Sequence, residues 1–254
     1  MPDETKRAPA QRDGALQTPE EDGEDEERRE ESDAGSVRLD TIEELGSVTT
    51  DSGGFRIRSL VIAGQVEGHS ALAPQAKTTK YEHVIPLLVA IEESPEVDGL
   101  LVLLNTMGGD VEAGLAIAEM IASMTKPTVS LVLGGGHSIG VPLAVAAKRS
   151  FIVPSATMTV HPVRINGTVI GVSQTYNYFR EMQNRITGFV TSHSSIPEEK
   201  FTELLTRPDE IANDVGTILS GKEAVECGLI GSLGGLDAAL AELRKMIKNK
   251  SAGV

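Results

Sequence analysis

At 254 residues the chain is long enough for one sizeable hydrophobic core or two small ones. Its formal net charge of −14 comes without the clustered Lys and Arg that phosphate neutralisation requires, which argues against nucleic acid as a partner. The start Met1-Pro2-Asp3-Glu4 lacks a basic-then-apolar leader, no window reaches about 20 uninterrupted apolar residues, and the single Cys227 permits no internal disulfide. These features predict a cytoplasmic chain with no stable membrane span.

The charge is not evenly spread. Residues 1 to 50 carry 16 Asp and Glu against 6 Lys and Arg, a net of −10, and hold almost no large apolar residues. Such a stretch buries too little surface to offset its ordering entropy, so residues 1–53 are predicted to be an acidic disordered arm and 54–254 the folded domain. Phe55 to Gly64 alternates like a first strand and Gly68 to Ala76 reads as a loop. Tyr81 to Glu93 spaces Val84, Leu87, Leu88 and Ile91 as one helical stripe. Gly99 to Leu104 is a continuous apolar run, the mark of a strand covered on both faces, followed by a turn at Asn105–Gly109 and a helix from Val111 to Met124. The pattern repeats: Pro127 to Leu133 as strand, Gly134–Gly136 as turn, Ile139 to Ala147 as helix.

Strand, glycine turn and helix in succession predict an α/β fold with a largely parallel sheet. Phe151 to Val153 and Thr157 to Val160 read as short strands, and Val172 to Ser192 as a long helix with Tyr176, Phe179, Met182, Ile186 and Phe189 on one side. That stripe suits either packing on its own domain or contact with another subunit. Two further helices are predicted at Lys222–Cys227 and Leu236–Lys248.

In parallel α/β sheets ligands gather at the carboxyl ends of the strands, where glycine turns expose backbone amides. Gly136-His137-Ser138-Ile139-Gly140 fits a serine held on a tight strand-to-helix turn, with a helix N-cap as the plainer role for Ser138. The amides of Gly109 and Ile139, at two neighbouring strand ends, are placed to face one developing oxyanion. A nucleophilic serine needs a base, and of the five histidines only His161 ends a predicted strand in the same half of the domain. His69, His83 and His193 read as surface residues, and His137 points away if its neighbour faces the cleft. No metal-ligand spacing and no phosphate loop is present, so no cofactor is expected. Cys227 reads as a small semi-buried apolar residue.

Asn105-Thr106-Met107-Gly108-Gly109, Ala113-Gly114-Leu115-Ala116-Ile117, Lys126-Pro127, Gly136-His137-Ser138-Ile139-Gly140, Val160-His161-Pro162 and Leu219-Ser220-Gly221-Lys222-Glu223-Ala224 together resemble the Clp protease proteolytic subunit over about residues 57 to 235. Met107, where that family usually has Pro before the glycine pair, and the Gly-His-Ser-Ile-Gly turn are closest to its translocation-enhancing branch. The resemblance implies a ClpP/crotonase-like fold with repeated ββα units, a long handle helix, a homo-oligomeric ring and a Ser-His-Asp serine endopeptidase. Ser138 would be nucleophile, His161 base, and Gly109 and Ile139 the oxyanion amides.

The implied partners are peptide or unfolded protein substrates and an AAA+ unfoldase or protein-translocation partner. The position that holds the family's catalytic Asp falls on Gly216, with Asp214 the nearest carboxylate; Asp209, Glu210 or a backbone carbonyl are the alternatives for orienting His161. Two other readings compete: a ring-forming scaffold with weak or no catalysis, and an acyl-CoA enzyme of the crotonase fold, which would need basic residues for the CoA phosphates.

Overall fold

Alternation along the central strands decides which residues face which layer. In the computed structural model, which describes residues 47–51, 53–164, 170–208 and 215–252, strands β2 (Arg56–Glu67), β4 (Gly99–Gly109) and β5 (Thr128–Gly136) lie side by side in parallel. Leu60, Ile62, Leu100, Val102, Leu104 and Val132 point to one face; Ile57, Leu101, Val129 and Leu131 point to the other. Burial on both faces is why Gly99 to Leu104 of β4 reads as an unbroken apolar run.

The path runs β1 (Ser47–Asp51), β2, β4, β5, β6 (Arg149–Ile152), β9 (Ser232–Leu233), with β3 (Thr78–Lys80) on the far end of β2. Only the β1–β2 pair in this path is antiparallel. The first face is covered by α1 (Tyr81–Glu93), α2 (Val111–Ser123) and α3 (Gly140–Val145), through Val84, Leu88 and Ile91, then Ala113, Ile117 and Ile121, then Val141 and Leu143. Burying each large aliphatic side chain stabilises the fold by about 1.5–3 kcal/mol. The second face is covered by α7 (Leu236–Ala252), which lays Ala239, Leu243 and Ile247 on it.

A two-stranded ladder stands at the carboxyl end of the sheet. β7 (Thr157–Val160) pairs antiparallel with β8 (Thr217–Ser220) and touches β5 at Gly135. Ser220 then opens α6 (Gly221–Glu226) with a reciprocal capping box to Glu223. The long helix α4 (Val172–Ser192) divides the two readings of its stripe: Met182 and Phe189 are buried and Phe179 and Ile186 half-buried, whereas Tyr176 is 64 % and Val172 78 % exposed. α5 (Glu198–Thr206) follows, burying Phe201, Leu204 and Leu205.

One boundary needs correcting. The domain was expected to start at residue 54, yet Ser47–Asp51 already forms an edge strand, Ser47 pairing with Leu60 and Asp51 with Arg56. The reason is local: Val48, Thr49 and Thr50 are β-branched and suit a pleated edge, and the Ser47 hydroxyl donates to the Ser59 carbonyl at 2.6 Å. The rest of the expected arm, residues 1–46 and 52, lies outside the described residues.

Candidate active site

Ser138 sits where β5 ends and α3 begins. The His137 N–H donates to the Thr106 carbonyl at 3.1 Å, the Ser138 N–H to the Thr159 carbonyl at 2.9 Å, and the Val141 N–H to the Ser138 carbonyl at 2.9 Å. Pinned from three sides, Ser138 takes φ 57°, and it is the one non-glycine residue with positive φ among the described residues. That conformation costs about 1–3 kcal/mol and marks a backbone held by its surroundings. The plainer role as a helix cap is not what the geometry gives: α3 starts at Gly140, its cap position is Ile139, and no side chain caps it. Gly140 is required by proximity, since a Cβ there would sit 2.8 Å from the Thr106 methyl carbon.

The glycine pair at the end of β4 forms the facing wall. Thr106, 1 % exposed, donates its hydroxyl to the Gly64 carbonyl at 2.6 Å and accepts the Gly108 N–H at 3.0 Å. This fixes Gly108 at φ 94°, so close to the serine that a Cβ would lie 2.6 Å from the Ser138 Cβ and 3.2 Å from its Oγ. Asn105 accepts the Gly135 N–H on its side-chain oxygen at 2.9 Å and so ties the two turns together. Beyond Gly109, Asp110 caps α2 by accepting the Ala113 N–H at 2.8 Å. The segments read as turns at Asn105–Gly109 and Gly134–Gly136 are strand extensions, β4 carrying a register shift between Leu104 and Thr106.

His161 follows the last ladder residue of β7, Val160. Its Nδ1 lies 2.7 Å from the Pro162 carbonyl oxygen. A carbonyl only accepts, so Nδ1 carries the proton and Nε2 is the basic nitrogen. The Val163 N–H donates to the Gln183 side-chain oxygen on α4 at 2.9 Å. Ser138, Ile139, Gly109 and His161 line one cleft of about 270 Å³, walled by Met107, Val163, Ile186, Phe201 and Leu205. The four residues singled out from sequence are therefore brought together.

Other groups fall elsewhere. His137 turns from the cleft to the Thr159 hydroxyl, 2.9 Å from its Nδ1, and burial lowers its pKa below the usual 6.5. His69 packs beside Tyr81 and His193 stacks on Phe189. Cys227 is half-buried at the end of α6, and burial pushes its thiol pKa up, away from thiolate chemistry. Among the described residues no three His, Cys, Asp or Glu side chains form a group able to hold a metal ion, and no helix is long and apolar enough to cross a membrane.

Asp214, Asp209 and Glu210, the acids considered for orienting His161, lie outside the described residues. Gly216 is described: its φ is 135°, which side-chain-bearing residues rarely adopt, and its N–H donates to the Arg207 carbonyl. Two features escaped sequence reading. The wall from α5 was detectable, since Phe201, Leu204 and Leu205 have helical spacing. Gln183 was not, because a lone glutamine on an amphipathic helix carries no pattern.

The Clp protease family model matches residues 61–235. Translocation-enhancing protein TepA of Halalkalibacterium halodurans is 54 % identical over 213 residues, covering 84 % of this chain and 83 % of that protein. The ATP-dependent Clp protease proteolytic subunit 1 of Protochlamydia amoebophila is 28 % identical over 134 residues, 52 % of this chain and 63 % of its own length. In three dimensions a ClpP1 variant from Listeria monocytogenes superposes with TM-score 0.56 at 20 % identity, over 72 % of this chain and 94 % of that one, a likeness of fold. With the family matched across the whole site-bearing body, from β2 to the turn before α7, this chain belongs to the Clp protease family.

Proposed function

We propose that the chain is a serine endopeptidase in which Ser138 is the nucleophile, His161 the general base, and the amides of Gly109 and Ile139 the oxyanion donors. The observation that carries this reading is the left-handed backbone of Ser138, held in the same cleft as His161. A residue keeps such a conformation only where its surroundings impose it, and here it lies in a pocket with an imidazole whose basic nitrogen is defined.

In the forward step the Ser138 Oγ attacks the peptide carbonyl carbon while its proton passes to His161 Nε2. The tetrahedral oxyanion is held by backbone N–H groups, the imidazolium protonates the departing amine, and water releases the acyl-enzyme by the same route. Peptides or unfolded segments are the proposed substrates, in keeping with the family. An ATP-driven unfolding partner is proposed by analogy with the ATP-dependent relative, as are a homo-oligomeric ring and a cytoplasmic location.

A second reading, a scaffold with little catalysis, is favoured by one observation. Gly216 stands where the family's acid is expected, in a backbone conformation unsuited to a side chain.

Fluorophosphonate labelling decides between them. The peptidase reading expects covalent modification at Ser138 in the folded protein and its loss in Ser138→Ala and His161→Ala. Folded protein that stays unlabelled removes the peptidase reading and leaves the scaffold.

A further inference from the structure

We infer that Gln183, on the long helix, is the positioning residue for His161, acting through the Pro162–Val163 peptide. This inference rests on the reading of His161 as the general base. His161 lies one residue past the end of its ladder, and residues 161–164 belong to no helix or strand, so the backbone pairing of β7 does not by itself hold the ring.

Two hydrogen bonds act on it. The imidazole Nδ1–H donates to the Pro162 carbonyl at 2.7 Å, and the Val163 N–H donates to the Gln183 Oε1 at 2.9 Å. The carbonyl of Pro162 and the N–H of Val163 are the two ends of one planar peptide group. Rotating that plane to release one bond misaims the other. Gln183 thus fixes the plane, and the plane fixes the tautomer and tilt of the ring.

The glutamine is itself oriented. Its Nε2 donates to the Thr187 hydroxyl at 3.4 Å, one helical turn along α4, and Thr187 is 9 % exposed. This leaves Oε1 facing Val163. The three-link chain from amide oxygen through peptide to imidazole polarises in one direction, each donor strengthening the next acceptor. Its effect is to stabilise the Nδ1–H tautomer, with Nε2 left to take the Ser138 proton. The step it serves with a fluorophosphonate is balanced: Oγ bonds to phosphorus, fluoride leaves, and the hydroxyl proton goes to Nε2. Gln183 touches no reacting atom. It also sits two residues before Arg185, whose guanidinium grips both oxygens of Glu112 in the first turn of α2 at 2.7 and 2.9 Å. One stretch of α4 therefore contacts both the segment after His161 and the first turn of α2.

The test compares wild type with Gln183→Met, which keeps length but removes the acceptor, and Gln183→Glu, which keeps an acceptor. The labelling rate at Ser138 is expected to fall about 10- to 100-fold in the Met variant, in the maximal rate rather than in the half-saturating probe concentration, and to recover to within about three-fold in the Glu variant. The added carboxylate should also move the pH midpoint of labelling upward, by favouring the imidazolium. NMR of nitrogen-labelled histidine provides a readout independent of labelling: His161 is expected as the Nδ1–H tautomer in wild type and as a mixture in Gln183→Met.

Labelling of the Met variant within about two-fold of wild type, an unmoved midpoint in the Glu variant, or an unchanged tautomer would each overturn the inference. Should the Met variant not fold, the midpoint of the Glu variant decides. Should wild type not label at all, the nucleophile reading fails while the tautomer measurement still judges Gln183.

Discussion

The imidazole of His137 and the hydroxyl of Ser138 are neighbours in sequence with opposite surroundings. Ser138 opens into the cleft; His137 turns inward to Thr159, and burial lowers its pKa. In the unfolded chain the ring takes a proton near 6.5, in the folded protein only at lower pH. Between those values the unfolded state binds more protons, so stability is fully present above about 6.5 and is lost as pH falls through the folded value. Denaturant midpoints measured from neutral to mildly acidic pH are therefore expected to decline, with a shallower decline in His137→Gln. An identical slope in both would show that this ring does not set the acid response.

At the scale of elements, Thr106 is where two strands and two turns are locked. Its hydroxyl joins the Gly64 carbonyl on β2 to the Gly108 N–H on β4, at the place where both strands slip register. Thr106→Val keeps the shape and removes both bonds, leaving a buried carbonyl and N–H unsatisfied at a cost of about 1–3 kcal/mol. The expected outcome is a lower melting temperature together with slower Ser138 labelling. A stability loss with unchanged labelling would mean that the Gly108 turn holds its place without the threonine.

The same locks explain what sequence could and could not tell. Long periodic elements were legible: the Tyr81–Glu93 and Val172–Ser192 helices match their predicted spans, because an apolar stripe of three or more turns leaves few alternatives. The glycine runs were read as turns because glycine usually ends a strand; register shifts supported by Thr106 and Asn105 let β4 and β5 continue through them. β1, β3, α5, β8 and β9 went unread: four of them are strands of two to five residues, too short to carry a period of their own. That Ser138, His161, Gly109 and Ile139 line one cleft was legible, since each ends or follows a sheet strand, a place topology assigns. Gln183 works through a peptide bond twenty residues away, and no local pattern encodes that.

For the whole molecule, the correction at the start of the domain has a measurable consequence. Residues 1–46 contain few large apolar side chains, so their removal is expected to shift the thermal midpoint by less than about 2 °C. Removal of residues 1–51 also deletes β1 and exposes the edge of β2, where the Arg58 guanidinium now bonds the hydroxyls of Ser47 and Thr49. The longer truncation should melt several degrees lower and self-associate through its bared edge. Equal midpoints for the two would return the domain start to residue 54.

The left-handed backbone at Ser138 sets the molecule's endurance against its chemistry. A side chain there carries a steric penalty of about 1–2 kcal/mol, which glycine avoids at an entropic cost of about 0.5–1 kcal/mol. Replacement by glycine relaxes the backbone, whereas replacement by alanine keeps the strain and only deletes the oxygen. A lineage selected for heat resistance alone would thus drift toward glycine at position 138 and keep its shape.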